Sequence, residues 1–328
     1  MPATLKFQDI TVPVPGFGAM GFSQSYGPAD DAVSKKTLAH AIDIGCTFWD
    51  TAVVYGKGHN ETLIGETLRD LKARDKVFVA SKCGFECFGG GEGLGTVTNK
   101  PAHIAEYIEG TKQRLGFYPD LYYLHRIDPT TPLEESIPAL QKLKTDGKVK
   151  YIGLSECSAA TLRKACSIAH IDALQIEYSP WHTDHEENGL IDAARELGVS
   201  IIAYSPLGKG ILSGQYRSVD DFPEGDIRRT IPRFQGENFA KNMRIVDEFG
   251  RLAEKKGCTP SQLALAWVVA QGAIPIPGTR TAARLDENFG ARGVELSEEE
   301  LKELRVLIET AKPVGNRYGE AHMAMVGR

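Results

Sequence analysis

The chain has 328 residues, of which 42% are hydrophobic and 25% charged, and its formal net charge at pH 7 is −5. This length and composition are typical of a soluble globular protein with a large buried core. A weakly acidic chain without a long basic run gives no electrostatic case for binding nucleic acid, and the lack of an apolar stretch of about 18 residues gives none for a membrane span.

The predicted elements alternate between strands and helices. A hairpin over residues 4–14, turning near Gln8 and Asp9, comes first. The predicted strands cover residues 16–21, 46–52, 77–83, 121–127, 149–156, 173–179, 199–206 and 273–278. The predicted helices cover residues 31–44, 60–72, 101–116, 133–146, 158–169, 187–198, 260–271 and 281–290. Eight such units favour a closed (β/α)8 TIM barrel over an open doubly wound sheet.

Several segments interrupt the alternation. A glycine-rich loop at 84–100 and a long loop at 207–240 both follow the carboxyl ends of strands, where barrel active sites lie. Two extra helices are predicted at 241–257 and 297–310, the second opened by a capping box of Ser297 and Glu300. The tail, 311–328, is predicted to be irregular, and residues 1–328 are predicted to form a single barrel domain.

The segment GFGAMG at residues 16–21 matches the glycine pattern of a dinucleotide-binding turn. That turn needs a helix immediately after it, because the helix N-terminus binds the pyrophosphate. Here a loop with Gly27 and Pro28 follows instead. We therefore interpret the segment as a tight first barrel strand whose carboxyl end approaches a ligand closely.

Polar residues occur where the predicted strands end. Asp50 ends the second strand and is followed by Tyr55 in the next loop, Lys82 ends the third strand, and His125 ends the fourth. The ends of parallel barrel strands converge on one mouth, so these side chains form a candidate site. The alternative for Asp50 and Lys82 is a structural ion pair next to a surface tyrosine.

This set of residues is suited to proton transfer to a carbonyl oxygen. A tyrosine has an ordinary pKa of about 10, and a nearby ammonium such as Lys82 is expected to lower it, with Asp50 fixing the lysine. His125 can donate a hydrogen bond to the substrate or share the tyrosine proton. None of these side chains supplies a hydride, so a cofactor is required.

Seven separated motifs occur along the chain: WDTAVVYG, SKCG, LYYLHR, IGLSE, LQIEYSPW, YSPLGKGILSGQY and IPIPGTRTAARLDEN. In this order they resemble the aldo-keto reductase superfamily, and the resemblance runs from about residue 5 to 310. Three segments are GLSECSAATLRKA, EYSPW and DFPEGDIRRTIPRFQGENF. They resemble a fungal and plant branch of the superfamily that includes pyridoxal-reductase-like enzymes.

The resemblance implies NADPH-dependent reduction of aldehydes and ketones to alcohols in a site without a metal. It implies that Tyr55 donates the proton, that Lys82 and Asp50 adjust the acidity of Tyr55, and that His125 orients the carbonyl. The substrate site would include Tyr55, His125 and Trp181. The implied cofactor-binding residues are Met20, Asp50, Ser155, Gln175, Tyr204, Ser205, Pro206, Leu207, Gly208, Lys209, Gly210, Gly278, Thr279, Arg280, Arg284, Glu287 and Asn288.

Three positions bear on cofactor binding. Arg280 and Arg284 lie four residues apart where a helix begins, so their guanidinium groups can share a face beside free backbone N–H groups. This favours NADPH, with its additional phosphate, over NADH. Glu156 departs from the family pattern, in which many members have asparagine, and an ionised carboxylate cannot donate to the nicotinamide carboxamide.

Other residues have weaker interpretations. The six cysteines are scattered and no secretory signal opens the chain, which favours free thiols in a reducing, cytoplasmic location. Cys83 and Cys87 are interpreted as packing or loop-lining thiols. His182 and His185 are interpreted as part of a surface loop rather than a metal site, since no third ligand lies at a useful spacing. Arg228, Arg229 and Arg233 in the long loop could reach the cofactor phosphates, against a default of surface exposure.

The expected partner is a small carbonyl compound, with neither nucleic acid nor membrane involved. The alternative is a cofactor-binding regulatory module resembling channel-associated β subunits. The substrate pocket is expected to come from residues 22–28, 84–100, 181–186, 207–235 and the tail. The substrate, the direction of the reaction in the cell and the oligomeric state stay open at this point.

Overall fold

Eight short parallel strands form the centre of the fold. The computed structural model describes residues 1–88 and 95–328. Each barrel strand pairs in parallel with the next along the chain, and a bridge between Gly18 and Gly278 joins the first strand to the segment that follows the last. The strands are β1 (Thr4–Phe7) and β2 (Ile10–Pro13) in the hairpin, then β3 (Phe17–Gly18), β4 (Phe48–Asp50), β5 (Phe78–Cys83), β6 (Leu121–Leu124), β7 (Tyr151–Ser155), β8 (Ala173–Glu177), β9 (Ser200–Tyr204) and β10 (Ile274–Pro275) in the barrel.

Helices surround the barrel and begin at recognisable caps. Asp30 accepts a hydrogen bond from the backbone N–H of Val33, and the predicted capping box of Ser297 and Glu300 is present. The helices are α1 (Asp31–Asp43), α2 (His59–Asp70), α3 (Pro101–Leu115), α4 (Leu133–Thr145), α5 (Ala159–Ile168), α6 (Asp184–Glu187), α7 (Leu190–Glu196), α8 (Gly236–Lys256), α9 (Pro260–Ala270), α10 (Ala282–Phe289), α11 (Glu298–Thr310) and α12 (Glu320–Met323). The two predicted extra helices are α8 and α11.

The N-terminal hairpin closes the amino end of the barrel. Phe7 is fully buried and packs against the rings of Phe48, Phe78 and Tyr151, with centroids 5.0–6.0 Å apart. Val12 and Val14 join the same buried cluster. With this end filled by apolar side chains, the carboxyl ends of the strands form the open mouth.

Glycine allows the barrel to close next to the mouth. A Cβ atom on Gly18 would lie 2.7 Å from the backbone oxygen of Ile276, so a side chain cannot be accommodated there. Only residues 17–18 of the glycine segment are strand, Met20–Phe22 form a 3-10 turn, and the next α-helix begins at Asp31. The geometry of a dinucleotide-binding turn is therefore not formed by this segment, as its sequence context predicted.

The eight-stranded barrel prediction is confirmed, and several boundaries differ. The strands are shorter than predicted because residues at one or both ends of each predicted strand lie outside the paired ladder. The predicted helix at 187–198 is two helices, separated at Gly189, whose φ of +77° interrupts the helical backbone. The long loop ends earlier, at the start of α8, and the tail contains α12. Part of the predicted glycine-rich loop, residues 89–94, lies outside the described residues.

Candidate active site

The ends of β4 and β5 bring a carboxylate and an ammonium together inside the barrel mouth. Lys82 donates hydrogen bonds to the carboxylate of Asp50 and, over 2.9 Å, to the backbone oxygen of Thr51. The third contact of its ammonium is the Tyr55 hydroxyl, at 3.4 Å. The second carboxylate oxygen of Asp50 accepts a 2.8 Å hydrogen bond from Gln175 on β8. The pair is buried and fully hydrogen-bonded, which is the condition for stability of such a pair away from water.

Burial and neighbouring charge oppose each other at Lys82 and Tyr55. Burial alone would lower the pKa of Lys82, but the Asp50 carboxylate outweighs it and the pKa is raised, so the ammonium stays charged. Burial raises the pKa of Tyr55 above its usual value, and Lys82 only partly offsets the rise. The expectation that Lys82 brings the Tyr55 pKa below its usual range is therefore wrong for this structure. Tyr55 keeps its proton at neutral pH, which is the state that a proton donor needs.

His125 completes this group from the end of β6. Its ring meets the ring of Tyr55 edge-on at 5.8 Å and that of Phe85 at 5.2 Å. Burial, with the charges of Arg126 and Lys82, holds its pKa well below the usual range. The imidazole is therefore neutral at pH 7, and its buried Nδ1 has no hydrogen-bond partner within the described residues. A neutral imidazole can donate one hydrogen bond to a substrate without carrying a charge.

Asn60, which sequence reasoning missed, holds the loop that carries Tyr55. Its amide donates to the backbone oxygen of Ala19 at 2.9 Å and to the hydroxyl of Ser23 at 2.8 Å. Its side-chain oxygen accepts from the Thr51 hydroxyl at 2.6 Å, and its backbone N–H donates to the oxygen of Tyr55. The only sequence signal is an asparagine in the first turn of α2, where a polar residue is usually solvated. Here it is fully buried and links three segments around Tyr55.

An elongated cavity of about 350 Å³ runs from this group across the mouth to the start of α10. It brings together all but three of the predicted site residues. The predicted residues that line it are Met20, Asp50, Tyr55, His125, Ser155, Gln175, Tyr204, Ser205, Pro206, Leu207, Lys209, Gly210, Gly278, Thr279, Arg280, Arg284, Glu287 and Asn288. The three that do not line it are Lys82, Gly208 and Trp181. Lys82 lies behind Tyr55 and contacts its hydroxyl.

The far end of the cavity has unpaired positive charge. Arg284 donates to the side-chain oxygen of Gln215 at 2.8 Å, and Arg280 donates to the backbone oxygen of Pro28 at 2.9 Å. Neither guanidinium forms an ion pair with a carboxylate among residues 1–88 and 95–328. Both lie at the N-terminus of α10, where Thr281 caps the helix. This end of the cavity can therefore bind a phosphate group.

A family profile described as Aldo/keto reductase family matches residues 16–309, which is most of the chain. The chain belongs to the aldo/keto reductase family. This membership makes it an oxidoreductase and confirms the predicted superfamily, and NADPH is the cofactor of the family. The pyridoxal-reductase-like branch and the cytoplasmic location stay predictions.

Named aldo-keto reductases from fungi resemble the chain over almost its whole length. An aldo-keto reductase of Gibberella moniliformis is 55% identical, with both chains covered completely. The aldo-keto reductase yakc [NADP(+)] of Schizosaccharomyces pombe is 44% identical over 96% of this chain and 94% of its own. Among solved structures, the glycerol dehydrogenase AKR11B4 of Gluconobacter oxydans superposes with a TM-score of 0.86 at 29% identity, covering 96% of this chain and 97% of its own.

Glu156, the departure from the pattern of aldo-keto reductases, is occupied by the C-terminal tail. Its carboxylate accepts hydrogen bonds from the guanidinium of Arg317 and from the backbone N–H of Glu177, 2.8 Å away. Arg317 also donates to Glu177 at 3.1 Å, and Lys209 donates to the other oxygen of Glu177. Two buried acids thus face two buried cations. The charge of Lys209, which the resemblance places among the cofactor-binding residues, is already paired, and Glu156 points to the tail.

Trp181 does not line the cavity in this aldo-keto reductase. Its ring stacks on Phe234 at 6.2 Å, and it lies beside Gly208, where an added Cβ would be 2.9 Å from the indole. Gly208 has a φ of +57°, so glycine is required there by both backbone conformation and space. The expectation that Trp181 contacts substrate is not supported by this geometry. The indole instead supports the turn at residues 205–210.

The long loop covers the cavity and contacts the loop after β3. The backbone N–H of Ile227 donates to the oxygen of Ser25 at 3.0 Å. Arg228 is paired with Asp226 and lies over the rings of Tyr26 and Tyr216. Of the arginines considered in this loop, Arg228 lines the cavity, whereas Arg233 is buried against backbone oxygens of the tail and of Trp181.

The tail supplies cavity residues that sequence reasoning did not name. Tyr318, His322 and Met325 line the cavity, and the hydroxyl of Tyr318 lies 2.9 Å from that of Tyr204. Ordered contacts continue to the last residue, where the oxygen of Arg328 accepts from Ser158. The tail is expected from the sequence to contribute to the pocket, but it has no periodic pattern that indicates which of its residues do so.

His182 and His185 are buried below the tail, so the expectation of a surface loop is wrong. Their rings meet edge-on at 5.2 Å, and burial lowers the pKa of both, to about 3 for His182. Within the described part of the chain, no cluster of three or more His, Cys, Asp or Glu side chains could hold a metal ion. Within the same residues, no helix combines the length and apolarity needed to cross a membrane.

Proposed function

We propose that this protein reduces an aldehyde or ketone to the corresponding alcohol with NADPH, and that Tyr55 donates the proton. The observation that carries the proposal is the contact of the Lys82 ammonium with both the Asp50 carboxylate and the Tyr55 hydroxyl. The name of the fission yeast relative, which includes NADP(+), and that of the glycerol dehydrogenase from Gluconobacter oxydans support the same chemistry.

The residues that line the cavity and their charges support binding of a dinucleotide cofactor. The catalytic group lies at one end and two unpaired guanidiniums lie at the other, with the turn at residues 205–210 between them. Ser155 and Gln175 would hold the nicotinamide carboxamide, Tyr204 would stack on its ring, and Arg280 and Arg284 would bind the 2′-phosphate. When bound, NADPH supplies the hydride.

The residues of the chain handle the proton. A carbonyl oxygen placed between Tyr55 and His125 accepts a hydrogen bond from each, and the Tyr55 proton moves to that oxygen as negative charge develops on it. The phenolate left on Tyr55 is stabilised by the Lys82 ammonium 3.4 Å away. Because the group is buried, this electrostatic stabilisation is stronger than it would be in water.

An intact proton-donating group favours an enzyme over a regulatory binding module. The test is the oxidation of NADPH, followed by absorbance, with a panel of aldehydes and ketones that includes pyridoxal. Turnover of at least one carbonyl compound, with the matching alcohol as product, is the expected result. Tight NADPH binding without turnover of any member of the panel would contradict the proposal and favour the binding module.

A further inference from the structure

Arg126 directly follows His125 and faces the catalytic end of the cavity. It is partly buried, and it lines the cavity together with Tyr55, Tyr318 and His322. Its charge contributes to the lowered pKa of His125 and, after burial, to that of His322. A guanidinium therefore lies next to the place where a carbonyl substrate would bind.

The hydrogen bonds of Arg126 use only part of its donor set. Its Nη1 donates to the backbone oxygen of His125 at 2.7 Å and, over a longer 3.4 Å, to the hydroxyl of Ser155. Within residues 1–88 and 95–328, no carboxylate lies at ion-pair distance from it. The remaining N–H groups of an arginine form a planar fork that matches a carboxylate or phosphate.

The other cations that line the cavity either are paired with an acid or lie at its opposite end. Lys209 is paired with Glu177, and Arg228 is paired with Asp226. Arg280 and Arg284 lie at the opposite end, where the proposed function places the cofactor phosphate. Among the described residues, Arg126 is thus the one cation lining the catalytic end that lacks a carboxylate partner.

Negative charge at this end is already neutralised. Asp50 and Glu287 are the two acids among the described residues that line the cavity. Asp50 is bound to Lys82 and Gln175, and Glu287 lies at the far end. Glu156 is close enough to Arg126 for its pKa to be affected, but it is paired with Arg317. Among the described residues, the substrate end of the cavity therefore has an excess positive charge.

We propose that Arg126 binds an acidic group of the substrate, so that the preferred substrates are aldehydes or ketones that carry a carboxylate or a phosphate. This inference rests on the proposed function and adds a substrate class to it. Arg126 is a specificity-determining residue here, because the proton is still donated by Tyr55. A charge-assisted hydrogen bond from a guanidinium is among the stronger polar contacts available in a binding site.

The test compares matched aldehydes that differ in charge. One pair is 4-carboxybenzaldehyde and the neutral 4-formylbenzamide, which have nearly the same size. The other is pyridoxal 5′-phosphate and pyridoxal, which separates a phosphate from a carboxylate as the preferred anion. The quantity measured is the ratio of kcat/KM for the acidic and the neutral member, because the intrinsic reactivity of each aldehyde cancels when variants are compared.

We expect the wild-type ratio to exceed that of Arg126→Met by at least about tenfold in one of the pairs, mainly through the KM of the acidic member. Arg126→Lys should lie between them, because it keeps the charge and loses the planar fork. Arg69→Met is the matched control: it removes the same charge from an exposed position on α2 and should keep the wild-type ratio. Calorimetry should also show weaker binding of 4-(hydroxymethyl)benzoate or pyridoxine 5′-phosphate, whichever product matches the preferred anion, to the Arg126→Met enzyme with NADP+.

Different failures have different meanings. If wild type and Arg126→Met reduce both members of each pair with equal ratios, the inference is overturned and the proposed function stands. If Arg126→Met instead loses NADPH affinity at an unchanged ratio, the guanidinium serves the cofactor through Ser155, which also overturns the inference. If wild type reduces none of the four aldehydes while the broader panel of aldehydes and ketones contains a substrate, only the substrate class is wrong.

Discussion

Glu156 at the end of β7 and Arg317 in the C-terminal tail form a buried ion pair that joins the tail to the barrel mouth. The guanidinium also contacts Glu177 at 3.1 Å and the Tyr204 hydroxyl at 3.2 Å. One tail residue thus contacts two buried acids, of which Glu177 is also paired with Lys209, and holds the wall of the cavity that the proposed function assigns to the nicotinamide. The pair also explains why a carboxylate is tolerated at position 156.

Replacing Arg317 by Met should destabilise the fold by about 3–5 kcal/mol, because it leaves a buried carboxylate without its partner. The free energy of unfolding is measured by urea titration. The KM of a carbonyl substrate should also rise, since Tyr318, His322 and Met325 line the cavity from the same tail.

Lys312→Met is the control for this experiment. Lys312 lies in the same tail but pairs with Glu187 at the surface, where a salt bridge contributes about 0–1 kcal/mol. Combining Arg317→Met with Glu156→Gln should recover part of the lost stability, because one uncompensated charge is removed. Similar effects of Arg317→Met and Lys312→Met would contradict the role of the buried pair.

The same pair predicts how stability depends on acid. Arg317 overcomes the effect of burial and lowers the pKa of Glu156 to about 2, against an ordinary value of 4.5. Because the folded-state pKa is depressed, the stabilisation is present above about pH 4.5 and is lost as the pH falls from there towards 2. In Glu156→Gln, the slope of unfolding free energy against pH should be shallower by up to about 1.4 kcal/mol per pH unit. Urea titrations between about pH 3 and 5 measure this slope for both proteins. Equal slopes for wild type and Glu156→Gln would show that Glu156 is not the source of the acid dependence.

Removing the Tyr55 hydroxyl should abolish most of the turnover. We expect Tyr55→Phe to lower kcat by about 10²–10⁴, the range that a positioned proton donor contributes. NADPH affinity, measured by fluorescence titration, should stay close to that of wild type, because the phenol acts on the substrate. Tyr118→Phe removes a hydroxyl that contacts Glu109 away from the cavity, and it should leave kcat unchanged. Wild-type turnover in Tyr55→Phe would exclude this residue as the donor.

The pH dependence of reduction follows from the same residue. The donor must carry its proton, and burial raises the pKa of Tyr55 above 10 despite the opposing charge of Lys82. The kcat for carbonyl reduction should therefore be level across neutral pH and fall only above about pH 10. A lowered tyrosine pKa would instead move this decline to lower pH. A decline with its midpoint well below pH 10, which is absent in Tyr55→Phe, would show that Lys82 outweighs burial in the working enzyme.

The grouping of the candidate catalytic residues could be predicted because it depends on local pattern and on one topological rule. Asp50, Lys82 and His125 each end an apolar strand, and the ends of parallel barrel strands meet. The direction of the Tyr55 pKa could not be predicted, since it depends on how fully the ring is buried. The predicted contact of Trp181 with substrate fails for a related reason. Its loop lies at the mouth, but the indole packs against Phe234 rather than facing the cavity.

The tail shows a second limit of sequence reasoning. Its residues have no helical or strand periodicity, and Arg317 is separated by 161 positions from its partner Glu156. Nothing local indicates that an arginine in such a segment is buried rather than solvated. The sequence shows Glu156 as a departure from the family pattern, but only the folded chain shows that Arg317 is its partner.

The unpaired guanidiniums at the start of α10 predict which cofactor is preferred. If Arg284 binds the 2′-phosphate, Arg284→Ala should lower the affinity for NADPH by about 10- to 100-fold, the range expected for a lost charge-assisted contact. NADH lacks that phosphate, so its affinity should change little and serves as the internal control. Arg292→Ala removes a guanidinium that stacks on Phe289 beyond the same helix, and it should change neither affinity. Fluorescence titration gives the dissociation constant of each cofactor. Equal losses of affinity for NADPH and NADH in Arg284→Ala would mean that Arg284 does not recognise the 2′-phosphate.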